Sequence, residues 1–394
     1  MSEFEQLEHQ VETNLRAGGP AAAFAFLAQH YREEKNYPSL FETRLMKKRQ
    51  ELGLPLIQPD PIAELPAEVR QAYDAACTEA AREVGSLYLA DGDIERAWPY
   101  FRAIGEAEPV IGAIERVEPG EGIDRIIEIA LHERVHPRKG FELMLANHGI
   151  CRAITIFGQY PGSTGRDECL HLLIRTLHRE LVESLKRAIA REEGATPETE
   201  NVVELMAGRD WLFGDYTYYV DTSHVVSILR YSLELEDAET LGIAIEIAEY
   251  GKHLSSQFQY KGEPPFEDIY VDHAAYLSAI SGRDPDGGIA HFRQKLACAD
   301  SPEVANAAAQ LLVLLLARLE RYPEAIEISQ EHLRDVPASQ LACPPLLQLC
   351  ELAKDFDRLK SVARERGDLL SYAAASMHRN FHDSSQISGK TFNN

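Results

Sequence analysis

Two histidines and a glutamate between Leu131 and Pro137 have the types and spacing of a metal-dependent catalytic site. The segment reads LHERVHP, and its H-E-x-x-H pattern places His132 and His136 four residues apart, with Glu133 between them. Residues four apart on a helix share one face, so two imidazoles can bind one Zn²⁺ ion while the glutamate activates water. The pattern therefore nominates His132 and His136 as metal ligands and Glu133 as a catalytic acid or base.

This pattern resembles the zinc-binding helix of zincin proteases in form only. Arg134 adds a cation close to the expected metal. Pro137 disfavours helical geometry at His136, because the residue before a proline is pushed out of the α region. No further histidine follows at the step that metzincins use. A protease is therefore not expected, and the open alternatives are a metal site of another kind or no site at all.

Two aspartate–histidine pairs offer further ligands. The segments YYVDTSHVVSILRYS and IYVDHAAYLSAIS place Asp221 with His224, and Asp272 with His273, at the start of an apolar helical run. In a helical solenoid, corresponding helix starts stack along one edge, so these pairs could approach each other. Carboxylate and imidazole ligands together suit Zn²⁺, Mn²⁺ or Fe²⁺. The predicted metal site comprises His132, His136, Asp221, His224, Asp272 and His273.

The same residues have a structural interpretation. Asp221 and Asp272 have the residue type preferred at an N-cap, where the carboxylate accepts hydrogen bonds from the free amides of the first turn. The tyrosines around both pairs would then fill grooves between helices. Both interpretations stay open at the level of the sequence.

Charge and hydropathy narrow the classes of partner. The 394 residues include 40 basic and 63 acidic ones, for a formal charge of -23. Such a chain repels phosphate backbones, so we expect no nucleic-acid partner and favour a basic protein or peptide. The longest apolar run, LLVLLLARL from Leu311, is far shorter than the roughly 20 residues of a membrane span.

The termini and cysteines predict a cytoplasmic location. The acidic start MSEFEQLEHQ has no apolar segment of the kind that secretory signals carry. Six cysteines occur without a C-x-x-C pattern, which favours reduced thiols over a disulfide framework.

Helical periodicity fills the chain and predicts an all-α fold. Segments such as GIDRIIEIALHERVH and DAETLGIAIEIAEYGKHL repeat apolar residues at steps of three and four. Helix stops such as ADGD, EPGEG and GRDPDGG separate segments about the length of one helix or one helical hairpin.

One such segment, REVGSLYLADGDIERAWPYFRAIGEAEP near 82–109, resembles a tetratricopeptide repeat. Gly85, Tyr88, Ala97, Phe101 and Pro109 fall at the offsets of that repeat. Degenerate copies near 310–337 and 345–368 keep fewer of these positions. The resemblance implies a helical-hairpin solenoid with a concave face that binds peptides or proteins.

Composition along the chain predicts four regions. They are a tetratricopeptide-like region 1–119, a divergent histidine-rich middle 120–290 with a further boundary near 195, a second tetratricopeptide-like region 291–380, and a polar tail 381–394. Two functions follow as hypotheses. The first is an interaction scaffold that binds a protein or peptide on its concave face. The alternative is a metal-dependent enzyme of hydrolase-like chemistry, or a small-molecule sensor, with its site in the middle region; whether the chain is an enzyme stays open.

Overall fold

The computed structural model describes residues 2–57, 65–160 and 162–377, and over these ranges the chain is all-α. It has no strand there, only an isolated bridge between Lys261 and Asp268. Successive helices pack against their neighbours in sequence, which is the arrangement of a helical-hairpin solenoid. The predicted fold class is confirmed. No described helix is long and apolar enough to cross a membrane.

The chain divides into two compact units, Met1–Cys169 and Leu170–Asn394. The finer boundaries expected at 119/120, near 195 and at 290/291 stay predictions. The expected tail 381–394 lies outside the described residues.

The first unit is a run of seven helices among the residues described. They are α1 Glu3–Glu33, α2 Tyr37–Glu51, α3 Ala67–Ala90, α4 Ile94–Ile104, α5 Glu108–Ile114, α6 Asp124–Ile127 and α7 Pro137–Gly158. A π-helical turn, Glu128–His132, follows α6 directly. The next helix, α8 Arg166–Glu193, begins in this unit and continues into the second.

Helices α3 and α4 of the tetratricopeptide-like segment approach each other closely at Gly85. A Cβ atom on Gly85 would stand 2.7 Å from Cε2 of Phe101, closer than two carbons can approach. Phe101 and Ala97 are fully buried, and Tyr88 is nearly so. Gly85 therefore lies at a close crossing of α3 and α4, beside buried Tyr88 and Phe101.

The second unit continues the same succession of helices. They are α9 Val202–Met206, α10 Thr222–Ser232, α11 Ala238–His253, α12 Ile269–Ile280, α13 Pro285–Ala297, α14 Pro302–Arg318, α15 Tyr322–His332, α16 Leu346–Leu352 and α17 Phe356–Glu365, followed by helical residues 369–377. Each of α10 to α16 packs on the helix that follows it. Leu312 and Ala325, within the degenerate copy near 310–337, are fully buried, and α14 packs on α15.

Short polar side chains set most helix starts. A side-chain oxygen accepts a hydrogen bond from an amide of the first turn at Asn36, Asp93, Asn201, Asp221, Asp237, Asp268, Asp284, Ser301 and Asp355. These caps satisfy amides that have no partner inside the helix. The punctuation recognised in the sequence therefore corresponds to real helix ends.

Candidate functional site

The H-E-x-x-H segment does not lie on one helix. His132 is the last residue of the π-helical turn, and Arg134 has a left-handed backbone with φ of 60°. His136 is the N-cap of α7, with φ of -150° and ψ of 72°. The expectation that Pro137 would exclude His136 from a helix is confirmed. The one-turn spacing that lets two histidines share a metal on a zincin helix is absent.

Glu133 is held by three donors instead of facing an open site. Trp98 Nε1 donates to Glu133 Oε2 at 2.7 Å, and Arg102 donates to the same oxygen at 3.1 Å. Arg125 donates to Glu133 Oε1 at 3.1 Å. The carboxylate therefore joins α4 to α6. Its assignment as a catalytic acid or base stays a prediction.

The two histidines of this segment have different surroundings. His132 is exposed. His136 Nε2 lies 2.6 Å from Glu115 Oε2, and this hydrogen bond lowers the pKa of Glu115. Arg138 contacts the other oxygen of Glu115 at 3.3 Å. His136 is thus engaged by Glu115 at the start of α7.

Asp221 caps α10, as the structural interpretation expected. Its Oδ1 accepts from the Ser223 amide at 2.8 Å and from the Ser223 hydroxyl at 2.6 Å. The side-chain hydrogen bond from Ser223 is the main reason that the pKa of Asp221 is lowered. His224 follows in the same turn and is half-buried.

Asp272 is not an N-cap, so that part of the structural interpretation is wrong. Asp268 caps α12, and Asp272 lies one turn inside the helix and is buried. Its carboxylate accepts from His291 Nε2 at 2.7 Å, from Lys295 Nζ at 2.6 Å and from the Asp268 amide at 2.8 Å. Burial acts to raise the pKa of Asp272, but the hydrogen bonds from His291 and Lys295 outweigh it and the pKa is lowered.

Sequence reasoning missed the partners of Asp272. His291 and Lys295 are four apart on α13, a spacing that indicates one helix face, but nothing local shows which helix that face meets. Within the described parts of the chain, no three His, Cys, Asp or Glu side chains form a group that could hold a metal ion. The metal assignment of the six residues stays a prediction.

A different surface collects exposed aromatic side chains in the second unit. Two irregular segments flank the pair of helices α10 and α11. The first loop, 207–221, leads from α9 to α10, and the second loop, 254–268, leads from α11 to α12. Four of their rings are exposed: Tyr216 by 82%, Tyr218 by 53%, Trp211 by 46% and Tyr260 by 42%. We call these four residues the aromatic loop surface. The expectation that the tyrosines here fill grooves holds for buried Tyr270 and is wrong for Tyr216 and Tyr218.

Side-chain contacts join the first loop and the start of α10 to the second loop. Ser255 Oγ donates to Asp215 O at 2.8 Å, the rings of Tyr218 and Phe258 meet edge to face at 5.3 Å, and the hydroxyls of Thr222 and Tyr260 lie 2.9 Å apart. Tyr218 and Tyr260 thus take part in the contacts that connect the two loops.

Buried tyrosines anchor the loops to the helices beneath. The hydroxyl oxygen of Tyr250, on α11, accepts a hydrogen bond from the Tyr219 amide of the first loop at 2.9 Å. Tyr270 of α12 donates to Phe258 O of the second loop at 3.0 Å. Tyr270 can lie there because Gly251 has no side chain; a Cβ on Gly251 would stand 2.1 Å from its ring.

The two loops are acidic. Together they carry six acidic and two basic residues. One of the basic residues, Arg209, is paired with Glu193 at 2.7 Å. Three aspartates of the first loop are exposed, Asp210, Asp215 and Asp221. The aromatic rings therefore lie in a negative environment.

Comparison with known proteins finds no protein-family model, no curated protein and no solved structure that matches this chain. The observed packing of neighbouring helices is that of a helical repeat.

Proposed function

We propose that the chain is a helical-repeat interaction protein that binds a basic segment of a partner protein or peptide. The observation that carries the proposal is the exposure of four large aromatic rings on two joined loops. The binding surface in this proposal is the aromatic loop surface of the second unit.

Four exposed aromatic rings on two joined loops favour a role in binding a partner over a role in packing the protein's own core. Tyrosine and tryptophan contribute disproportionately to the binding free energy at protein interfaces, because they bury a large area with few rotatable bonds. The hydrogen bonds and ring contacts between the loops hold Tyr218 and Tyr260 in place, which reduces the entropy lost when these two rings bind a partner.

Charge favours a basic partner. Aspartates around the rings attract lysine and arginine during encounter, and the effect weakens as salt is added. Aromatic faces also bind such cations directly, through cation–π contacts of about 0.5–2 kcal/mol. A segment that alternates basic and apolar residues would use both features.

We further propose that 82–109 is a tetratricopeptide-like unit. The support is the close approach at Gly85 together with the burial of Ala97 and Phe101, the small and aromatic positions of that repeat. In this proposal the first unit acts as scaffold.

The proposal is tested with labelled peptides and the full-length chain. Fluorescence anisotropy would compare a short peptide of arginine, lysine and leucine with one in which every basic residue is replaced by glutamate. We expect only the basic peptide to bind. The double variant Tyr216→Ala/Tyr218→Ala should bind that peptide about tenfold or more weakly than the parent. Both side chains are mostly exposed, so their loss should leave the helices intact, and loss of the Tyr218–Phe258 contact is part of the expected effect.

Phe4→Ala is the matched control. Phe4 is 74% exposed but lies on α1 in the first unit, so the variant should bind the basic peptide like the parent. Equal binding by the parent and the double variant would refute the assignment of the surface. Equal binding of basic and acidic peptides would refute the assignment of the partner.

The metal-dependent alternative has its own test. Metal content would be measured on protein purified without a histidine tag, with His224→Ala compared to Asp221→Asn. Under that alternative, His224→Ala lowers the metal content. If Asp221 only caps α10 and binds no metal, Asp221→Asn changes stability and leaves the metal content unchanged. A parent protein that binds no stoichiometric metal would exclude the six-residue site.

A further inference from the structure

A cavity of about 360 Å³ lies in the second unit between the end of α10, the second loop and the start of α12. Its volume falls within the range of small-molecule sites. The wall combines one cation, one carboxylate, one imidazole and apolar side chains, which are Arg230, Glu263, His273, Leu233, Phe266 and Ile269. We call it the His273 cavity.

His273 contributes a hydrogen-bond acceptor that the described protein leaves unused. Its Nδ1 donates to the Ile269 carbonyl at 2.6 Å, so the neutral ring carries its lone pair on Nε2. Nε2 is buried and has no hydrogen-bond partner among the described residues. Burial lowers the pKa of His273 to about 4, so the ring is neutral at pH 7 and cannot donate from Nε2. A buried acceptor without a donor costs about 1–3 kcal/mol, which a ligand donor would recover.

The ring of His273 is fixed in place. Phe266 lies against it with ring centroids 4.4 Å apart. Phe266 also meets Tyr276 and Phe292 edge to face, at 6.0 and 5.8 Å. These contacts give the cavity a rigid aromatic side on which an apolar group can pack.

The charged groups of the wall are available. Arg230 and Glu263 are exposed, and neither side chain is seen in an ion pair within the described residues. A guanidinium binds a carboxylate through two parallel hydrogen bonds. A carboxylate and a neutral imidazole both accept from an ammonium group.

We propose that the His273 cavity binds a small zwitterion of the class of free α-amino acids with an apolar side chain. Arg230 binds the ligand carboxylate, Glu263 and His273 Nε2 accept from its ammonium group, and the side chain packs on Phe266, Leu233 and Ile269. The cavity shares the second loop with the aromatic loop surface but is lined by different residues, and the proposal does not depend on peptide binding.

Calorimetric titration of the full-length chain tests this with defined probes. The panel is L-leucine, L-methionine and L-phenylalanine, with two analogues of leucine: 4-methylpentanoate, which lacks the amine, and 3-methylbutylamine, which lacks the carboxylate. We expect at least one amino acid to bind with one-to-one stoichiometry. Each analogue should bind at least about tenfold more weakly, because each leaves a charged wall group unpaired.

Two variants assign the contacts. Arg230→Gln should weaken amino-acid binding by about tenfold or more while leaving 3-methylbutylamine unaffected. The matched control Arg70→Gln, at an exposed position of the first unit, should bind like the parent. His273→Phe keeps the ring shape and should also lose binding; if it fails to fold, Arg230→Gln alone decides.

The proposal is overturned if no amino acid of the panel binds. It is also overturned if both analogues bind as tightly as leucine, or if Arg230→Gln binds like the parent.

Discussion

At the scale of single residues, Asp272 shows what a buried carboxylate requires. It is 1% exposed, and taking such a charge out of water costs several kcal/mol unless donors replace the lost water. His291 and Lys295 from α13 and the amide of Asp268 supply those donors. The residue therefore fixes α13 against α12.

Asp272→Asn should lower the free energy of unfolding at pH 7 by about 3 kcal/mol, because it leaves the charges of its partners without a carboxylate. The lowered pKa in the folded state means that Asp272 adds stability above its unfolded pKa of about 3.9 and loses it as pH falls through the folded value. In urea unfolding from pH 6 down to about pH 3, the free energy of unfolding should thus fall less steeply for the variant than for the parent.

Asp286→Asn is the control for that experiment. Asp286 pairs with Arg321, but its side chain is 89% exposed, so the pair contributes at most about 1 kcal/mol. If both variants lose the same stability, the buried network does not have the role assigned to it.

Gly85 gives a second prediction at this scale. Gly85→Ala should destabilise the protein by about 1 kcal/mol or more, because its Cβ would overlap the fully buried ring of Phe101. Gly112→Ala in α5 meets only the flexible end of Arg116 at 3.9 Å and should stabilise by about 0.5–1 kcal/mol through helix propensity. Chemical denaturation would measure both, and a stabilised Gly85→Ala would contradict the close crossing.

At the scale of elements, local signals were sufficient where the cause is local. Three signals act within one or two helical turns: apolar residues at steps of three and four, capping aspartates, and Pro137. The structure follows all three. The α12 cap was predicted four residues late, because FEDIYVDH offers both Asp268 and Asp272 and only tertiary packing buries the second. The unpartnered Nε2 of His273 and the exposure of Tyr216 likewise depend on segments distant in sequence, so no local pattern could reveal them.

The cap of α10 can be tested without touching any packing. Asp221→Ala should lower the free energy of unfolding by about 0.5–2 kcal/mol, because the first turn loses its acceptor. Asp221→Asn keeps an acceptor oxygen and should stay within about 0.5 kcal/mol of the parent. Thermal unfolding at neutral pH separates the two, and equal losses would indicate that the charge, not the cap, is what matters.

At the scale of the whole molecule, helix packing and net charge act together. A chain of formal charge -23 repels itself, and successive apolar helix contacts must offset that repulsion. Added salt screens the repulsion, so it should raise the melting temperature of the protein and lower its affinity for the basic peptide.

Far-UV circular dichroism checks the architecture directly. The described residues contain no strand, so we expect a spectrum dominated by helix. A β contribution above about a fifth of residues would contradict the all-α fold.

The unequal burial of the cysteines makes the native chain a reporter of its own local opening. Cys151 and Cys298 are exposed, so a thiol reagent should modify them at once. Burial raises the pKa of Cys169 to about 12 and those of Cys343 and Cys350 to about 11, which leaves these three almost without reactive thiolate while folded. Pulsed alkylation read by mass spectrometry should then label each buried thiol at the rate at which its surroundings unfold, with Cys169 reporting on the first unit and the other two on the second.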